Sequence, residues 1–93
     1  MSLPIEHQPA AQRFSVLVDG HQAELVYAQR QGELVIEHTG VPSAIGGRGI
    51  AGELVKAALD YARSAGLKVV PACSYAALYI QRHPQYQDLL ATD

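Results

Sequence analysis

The first half of the chain alternates apolar and polar residues with a period of two, a pattern typical of β-strands whose two faces meet different surroundings. The pattern predicts strands from Arg13 to Val18, from His21 to about Gln29 and from Glu33 to Thr39. Asp19-Gly20 is a dipeptide favoured in two-residue hairpin turns, and Arg30-Gln31-Gly32 provides a second turn. The three strands are therefore predicted to form an antiparallel meander.

The two faces of the third strand decide which of its polar side chains can reach a common site. Strict alternation separates two sets of residues, namely Leu34, Ile36 and His38 on one face and Val35, Glu37 and Thr39 on the other. Because Glu37 and His38 are adjacent, only one of them is expected to face a substrate.

From Gly49 to Ala65 the periodicity changes to three or four residues, which predicts an amphipathic helix that ends at Gly66. Leu67 to Pro71 is predicted to be a short strand parallel to the third strand, so that the helix is a crossover connection. A second, short helix is predicted from Ser74, a candidate N-cap, to Gln81.

These elements predict one α/β (α+β) domain over residues 1–93. Pro4 and Pro9 interrupt the beginning of the chain, and residues 1–12 are predicted to be an extended arm. The tail from Gln85 to Asp93 is predicted to lie on the surface, anchored by Tyr86, Leu89 and Leu90.

Composition narrows the possible classes of protein. A 93-residue chain that is 48% hydrophobic has room for one globular domain with a thin core. The net charge of −2 argues against a nucleic-acid surface, and no apolar run is long enough to cross a membrane. The first residues lack the features of a secretory signal, and the single cysteine, Cys73, fits a reducing compartment, so a cytoplasmic location is expected. Four dispersed histidines and one cysteine predict no metal site.

The stretch from Ile45 to Gly52 is a glycine-rich turn that opens the long helix. Gly46, Gly47 and Gly49 allow backbone amides to approach a ligand closely, and the helix start adds unpaired N–H groups and a positive dipole end. The stretch therefore predicts an anion site. No Gly-Lys-Ser/Thr follows, so it is not a P-loop, and no acidic residue ends the following strand as in a dinucleotide site.

The order of these elements resembles the acetyl-CoA-binding core of the GNAT acetyltransferases, and more narrowly the minimal single-domain GNAT-like family. Four blocks carry the resemblance: His38-Thr39-x-Val41-Pro42, Gly47-Arg48-Gly49-Ile50-Ala51, Pro71-x-Cys73-Ser74-Tyr75 and Arg82-His83-Pro84-x-Tyr86. Together they lie within residues 14–90. One position departs from the family's pattern, because Gly46 stands where an Arg or Gln side chain is usual.

The resemblance implies a minimal GNAT fold with acetyl-CoA as the cofactor. The cofactor-binding residues that it implies are Thr39, Val41, Gly46, Gly47, Arg48, Gly49, Ile50, Ala51, Gly52, Cys73, Ser74, Tyr79, Arg82 and His83. Pyrophosphate binding is expected to survive the departure at Gly46, since it works chiefly through backbone amides, with Arg48 as a charge partner for phosphate.

The catalytic candidates are Cys73, His38, Tyr79 and Glu37, and each has a structural alternative. Cys73 is either an acyl acceptor or wall of the site, or a small buried hydrophobic residue. His38 is either the base that deprotonates the amine or a hydrogen-bonded strand-end residue, and Glu37 is either an acid of the kind that GNAT enzymes use or a solvated residue. Tyr79 either protonates the departing thiolate, as the resemblance implies, or packs in the core.

The function implied is transfer of an acetyl group from acetyl-CoA to an amine. The groove of so short a chain is expected to be open, which suits a protein lysine or N-terminus better than an enclosed metabolite. A monomer or weak dimer is expected. Two alternatives stay open, a non-catalytic CoA-binding or sensing module and a structural interaction domain without cofactor.

Overall fold

The computed structural model describes residues 3–91, which form one five-stranded sheet and two α-helices. The strands lie in chain order, with antiparallel pairing from β1 to β4 and parallel pairing of β4 with β5. The elements are β1 (Glu6–Gln8), β2 (Arg13–Val18), β3 (His21–Arg30), β4 (Glu33–Gly40), α1 (Ile50–Ala65), β5 (Lys68–Pro71) and α2 (Ser74–Arg82). The predicted meander, βαβ crossover and short C-terminal helix are confirmed. The outermost parts of the predicted arm and tail, residues 1–2 and 92–93, lie outside the described residues.

Both hairpin turns of the meander use two consecutive residues with positive φ. Asp19 and Gly20 have φ of 49° and 78°, and Gln31 and Gly32 have φ of 42° and 79°. Two successive left-handed residues give the turn whose twist matches that of the flanking strands. The turns therefore fix the register in which the strands pair.

Part of the predicted extended arm forms the edge of the sheet. Glu6–Gln8 pairs antiparallel with β2. The ring of His7 stacks on Phe14 with 4.1 Å between centroids, and its Nε2 lies 2.6 Å from the hydroxyl of Tyr27. The sequence predicts only an extended arm, and the structure adds that contacts with distant aromatic side chains hold this strand in the sheet.

Helix α1 lies against one face of the sheet and buries its apolar side there. Gly66 has a φ of 72°, and its amide is directed to the carbonyls of Ala62 and Arg63, so it ends the helix as predicted. Ala76 and Ile80 of α2 belong to the same core cluster as the buried residues of α1. Those residues of α1 are Ile50, Leu54, Val55, Ala58, Leu59 and Ala62.

The opposite face of the sheet has no helix over it within residues 3–91. Val35 is buried but stands apart from the core cluster, and Val26, Ala28 and Val70 are half-buried. Leu17, at the end of β2, is 65% exposed. The domain therefore has one packed face and one open face. No helix in residues 3–91 is long and apolar enough to cross a bilayer.

Strand β4 contains a β-bulge at Glu37. Val26 of β3 pairs with His38, whereas the next residue of β3, Tyr27, pairs with Ile36. Glu37 is left without a partner in the ladder, which is the defining feature of a bulge.

The bulge exchanges the two faces of β4 beyond it. His38 now shares a face with Gly40 and lies on the open side of the sheet, while Thr39 lies opposite Leu25, which is fully buried on the packed side. The predicted faces of His38 and Thr39 are therefore wrong, because strict alternation does not continue through an inserted residue.

Candidate functional site

The segment between β4 and α1 folds into a groove lined largely by backbone. A 3₁₀ turn over Ser43–Ile45 leads into Gly47 and Gly49, whose φ angles are 77° and 75°. A Cβ at either glycine would meet nothing within 4 Å, so conformation and not space requires glycine there. The groove has a volume of about 250 Å³ and is lined by Val41, Ile45, Gly46, Gly47, Gly49, Ile50, Ala51 and Tyr75.

Six consecutive amides at this groove, from Gly47 to Gly52, donate no hydrogen bond to any residue in the range 3–91. The first helical bond of α1 runs from the amide of Glu53 to the carbonyl of Gly49, over 3.1 Å. Left-handed residues within such a turn direct successive N–H groups into one concavity, and the α1 dipole adds positive potential there. The groove can therefore hold a multiply charged anion such as a pyrophosphate.

Two loop positions bear on the predicted phosphate contacts, namely Arg48, the predicted charge partner, and Gly46, where the family's side chain is missing. The guanidinium of Arg48 lies 2.6 Å from the carboxylate of Asp19 in the β2–β3 turn, so an ion pair already engages the predicted phosphate partner. Gly46 has φ of −68° and ψ of 160°, an extended conformation open to any residue. The backbone conformation at position 46 therefore does not require glycine, and a residue with a side chain could adopt it.

A second depression, of about 150 Å³, lies on α2 and is lined by Tyr75, Leu78, Tyr79, Arg82 and His83. Tyr75 borders both the depression and the groove, and it is 42% exposed. The ring of His83 stacks on Tyr79 with 3.8 Å between centroids. Its Nδ1 donates to the Tyr79 carbonyl over 2.7 Å, which leaves Nε2 available.

Gly52 lets α2 approach the first turn of α1. A Cβ at Gly52 would lie 3.4 Å from the Tyr75 hydroxyl and 3.5 Å from the Tyr79 ring. Burial, with a smaller contribution from Glu53, raises the pKa of Tyr79. The phenol therefore keeps its proton at neutral pH beside the groove.

Cys73 connects β5 to α2 and is the N-cap of that helix. The amide of Ala77 donates to the Cys73 carbonyl over 3.1 Å, so the predicted N-cap, Ser74, is already the first helical residue. The Cys73 amide donates to the carbonyl of Ile36 in β4 over 2.9 Å. Its Sγ lies 3.7 Å from the Thr39 hydroxyl, so the thiol is held against the end of β4.

The surroundings of the Cys73 sulfur favour the thiolate. Burial raises the pKa of the thiol, but hydrogen bonds to the sulfur outweigh burial and hold the pKa below its usual value. The donors are the amides of Ala76, Tyr75 and Thr39 and the Thr39 hydroxyl. A thiol with a lower pKa is ionised in a larger fraction of molecules at neutral pH.

The other two catalytic candidates lie apart from Cys73. Glu37 is exposed at the bulge, and His38 is exposed on the open side of the sheet. The His38 ring lies over Gly40, where a Cβ would come within 2.9 Å of its Nε2. The structure therefore brings Thr39 and Cys73 together on the packed side and places His38 on the other side.

Three contributors to these surfaces are not among the predicted catalytic and cofactor-binding residues. Ile45 is fully buried at the base of the groove, and Tyr75 and Leu78 are exposed apolar residues one helical turn apart. An apolar pair on the solvent-exposed side of a short helix can be recognised from the sequence, whereas the burial of Ile45 depends on how the loop folds.

Comparison with known proteins decides the family. A family model described as GCN5-related N-acetyl-transferase matches residues 13–89. This chain belongs to the GCN5-related N-acetyltransferase (GNAT) family. It is similar to Protein NATD1 of Xenopus tropicalis, with 35% identity over 95% of this chain and 84% of the relative. Protein NATD1 of Homo sapiens is 35% identical, over 91% and 78% of the two chains.

A solved structure supports the same assignment. The solution structure of a GCN5-like candidate N-acetyltransferase from Staphylococcus aureus aligns with a TM-score of 0.75 at 30% identity. The alignment covers 99% of this chain and 91% of that one. The fold and the class of enzyme, a GNAT-type N-acetyltransferase, are therefore confirmed. Within residues 3–91 no cluster of three or more His, Cys, Asp or Glu side chains is placed to hold a metal ion.

Proposed function

We propose that this GNAT domain binds acetyl-CoA and transfers the acetyl group to a primary amine. The observation that carries the proposal is the run of six amides from Gly47 to Gly52 with no acceptor in residues 3–91. A pyrophosphate offers the acceptors that these amides lack, and the groove stands at the carboxyl end of β4, where α/β folds hold ligands. The residues present therefore fit the cofactor.

The depression on α2 suits the part of the cofactor that adjoins the pyrophosphate. Tyr75 and Leu78 provide apolar surface, and Arg82 provides a positive charge for phosphate. His83 offers its Nε2 from the same wall. Because Tyr75 borders both cavities, one extended ligand can occupy them together.

When bound, acetyl-CoA supplies the acetyl group as a thioester open to attack by an amine nitrogen. The incoming amine must lose a proton, and His38 is the exposed imidazole available to take it. The Val41 amide, which donates no hydrogen bond within residues 3–91, can stabilise negative charge on the carbonyl oxygen. Tyr79, which holds its proton at neutral pH, can supply it to the departing thiolate.

Cys73 is proposed to line the acyl end of the site, or to accept the acyl group transiently. Its lowered pKa and its place at the end of β4 support both roles. Mass spectrometry after incubation with acetyl-CoA distinguishes them, since an acyl acceptor gains an acetyl group on Cys73. Full activity of Cys73→Ala would remove the residue from the mechanism.

The acceptor is proposed to be an amine of a protein or peptide. The open face of the sheet, on which His38 lies, carries no helix within residues 3–91 that would enclose a small metabolite. Turnover should therefore be measured with a peptide whose only amine is a lysine, a peptide whose only amine is its N-terminus, and a small polyamine. Preference for the polyamine would contradict a protein acceptor.

Calorimetric titration with acetyl-CoA tests the cofactor, with dephospho-CoA as a matched ligand that lacks one phosphate. We expect saturable binding that weakens without that phosphate. Absence of binding at millimolar concentration would refute the proposal. Binding without turnover of any amine would instead favour a non-catalytic CoA-binding module, for which the absent side chain at Gly46 is the supporting observation.

A further inference from the structure

The bulge in β4 has a second effect, because it directs one hydroxyl at the site's only thiol. With regular alternation, Thr39 and Ile36 would lie on opposite faces of the sheet, and Thr39 would be on the open side. The extra residue at Glu37 instead turns Thr39 to the packed side, where its Oγ1 lies 3.7 Å from the Sγ of Cys73. The contact joins residues 34 positions apart in the chain.

The thiol is fixed on both sides of this contact. The Cys73 amide is bonded to the Ile36 carbonyl, and the Cys73 carbonyl accepts the first bond of α2. The backbone around the sulfur is therefore immobilised by β4 and by α2 together. Among the donors to the sulfur only the Thr39 hydroxyl belongs to a side chain, so it alone can be removed without altering the backbone.

We propose that Thr39 is the positioning residue for Cys73, and that its hydroxyl holds the sulfur in place and donates a hydrogen bond to the thiolate. In the neutral pair the S–H donates to the Thr39 oxygen. When the thiol loses its proton to solvent or to a base, the hydroxyl rotates and donates its own hydrogen to the sulfur. The relevance to acetyl transfer rests on the proposed function, whereas the effect on the thiol does not.

The test measures the rate of Cys73 alkylation by iodoacetamide against pH, without acetyl-CoA. Thr39→Val removes the hydroxyl and keeps the β-branched shape, and Thr39→Ser restores the hydroxyl as the matched rescue. Below the thiol pKa, alkylation of Thr39→Val is expected to be slower by about three- to tenfold, the range for the loss of one typical hydrogen bond. Thr39→Ser is expected to follow the wild type.

Along the chain, the titratable side chains nearest to the pair are Glu37 and His38 on β4 and Tyr75 on α2, and they are unchanged in all variants. Alkylation in denaturant should be equal for every chain, which separates positioning from intrinsic reactivity. If circular dichroism shows that Thr39→Val does not fold, Thr39→Ala is used in its place, and the same slowing of alkylation is expected. Identical pH profiles for the wild type and the folded variant without the hydroxyl would overturn the proposal, even if acetyl-CoA binding were confirmed.

Discussion

Replacing Gly49 by alanine tests whether backbone conformation builds the anion site. Gly49 has a φ of 75° and stands directly before α1. A Cβ there would contact nothing within 4 Å, so any effect comes from the backbone and not from a clash. An L-residue in the left-handed region costs roughly 1–2 kcal/mol, and the smaller entropy of the unfolded chain offsets about 0.4–1 kcal/mol of this. The net destabilisation is expected to be about 1 kcal/mol, or a fall in Tm of roughly 4–8 °C for a domain of this size.

Gly46→Ala is the matched control. Gly46 lies in the same loop but has φ of −68° and ψ of 160°, which alanine adopts without strain. Its Cβ would come no closer than 3.4 Å to the Ser43 carbonyl oxygen. Gly46→Ala is therefore expected to unfold at the same temperature as the wild type or slightly higher, since only the unfolded chain loses freedom.

Binding separates the two variants further. If alanine at position 49 relaxes toward negative φ, the neighbouring amides turn away from the groove, and loss of one hydrogen bond to a charged group weakens acetyl-CoA binding by about tenfold or more. Gly46→Ala should bind as the wild type does. Thermal unfolding and calorimetry on the three chains give both quantities. Wild-type affinity in folded Gly49→Ala would refute the proposal that the backbone amides of Gly47–Gly52 bind the cofactor. Equal destabilisation in both variants would refute the role of positive φ.

Two further predictions follow from single positions. Gly46→Arg restores the side chain that the family pattern carries, and acetyl-CoA binding measured by calorimetry should tighten by about three- to tenfold, the range for one typical net hydrogen bond; unchanged or weaker binding would show that the loop cannot use the added side chain. Burial lowers the pKa of His7 from its ordinary 6.5, so the folded chain binds its proton less readily than the unfolded chain. The stability that His7 contributes is therefore present above pH 6.5 and is lost as the pH falls below it. Urea unfolding at several pH values should show this loss in the wild type but not in His7→Phe, and parallel pH profiles for the two chains would contradict it.

The parts of the fold that the sequence predicts are those that local chemistry decides. Asp19-Gly20 and Gln31-Gly32 set the hairpins, and Gly66 ends α1, because positive φ is a property of single residues. Gly47 and Gly49 take positive φ for the same reason, and the anion site stays a prediction. Strand β1 escaped prediction because three residues carry no measurable period, and what holds them is the stacking of His7 on a residue of β2.

The faces of β4 were mispredicted for a related reason that bears on the site. A bulge is set by the pairing of β4 with β3 and leaves no period in the sequence of β4 alone. Its effect is that His38 and the Cys73–Thr39 pair lie on opposite sides of one sheet. If His38 and Cys73 act on the same carbonyl as proposed, they can do so only where the two sides meet, at the carboxyl end of β4. The same end of β4 leads through Val41 into the loop whose amides, from Gly47 to Gly52, donate no hydrogen bond within residues 3–91. We therefore propose that the acyl group lies at that strand end. A ligand anchored at Gly47–Gly52 would meet the acceptor amine there from the open face and the Cys73 thiol from the packed face.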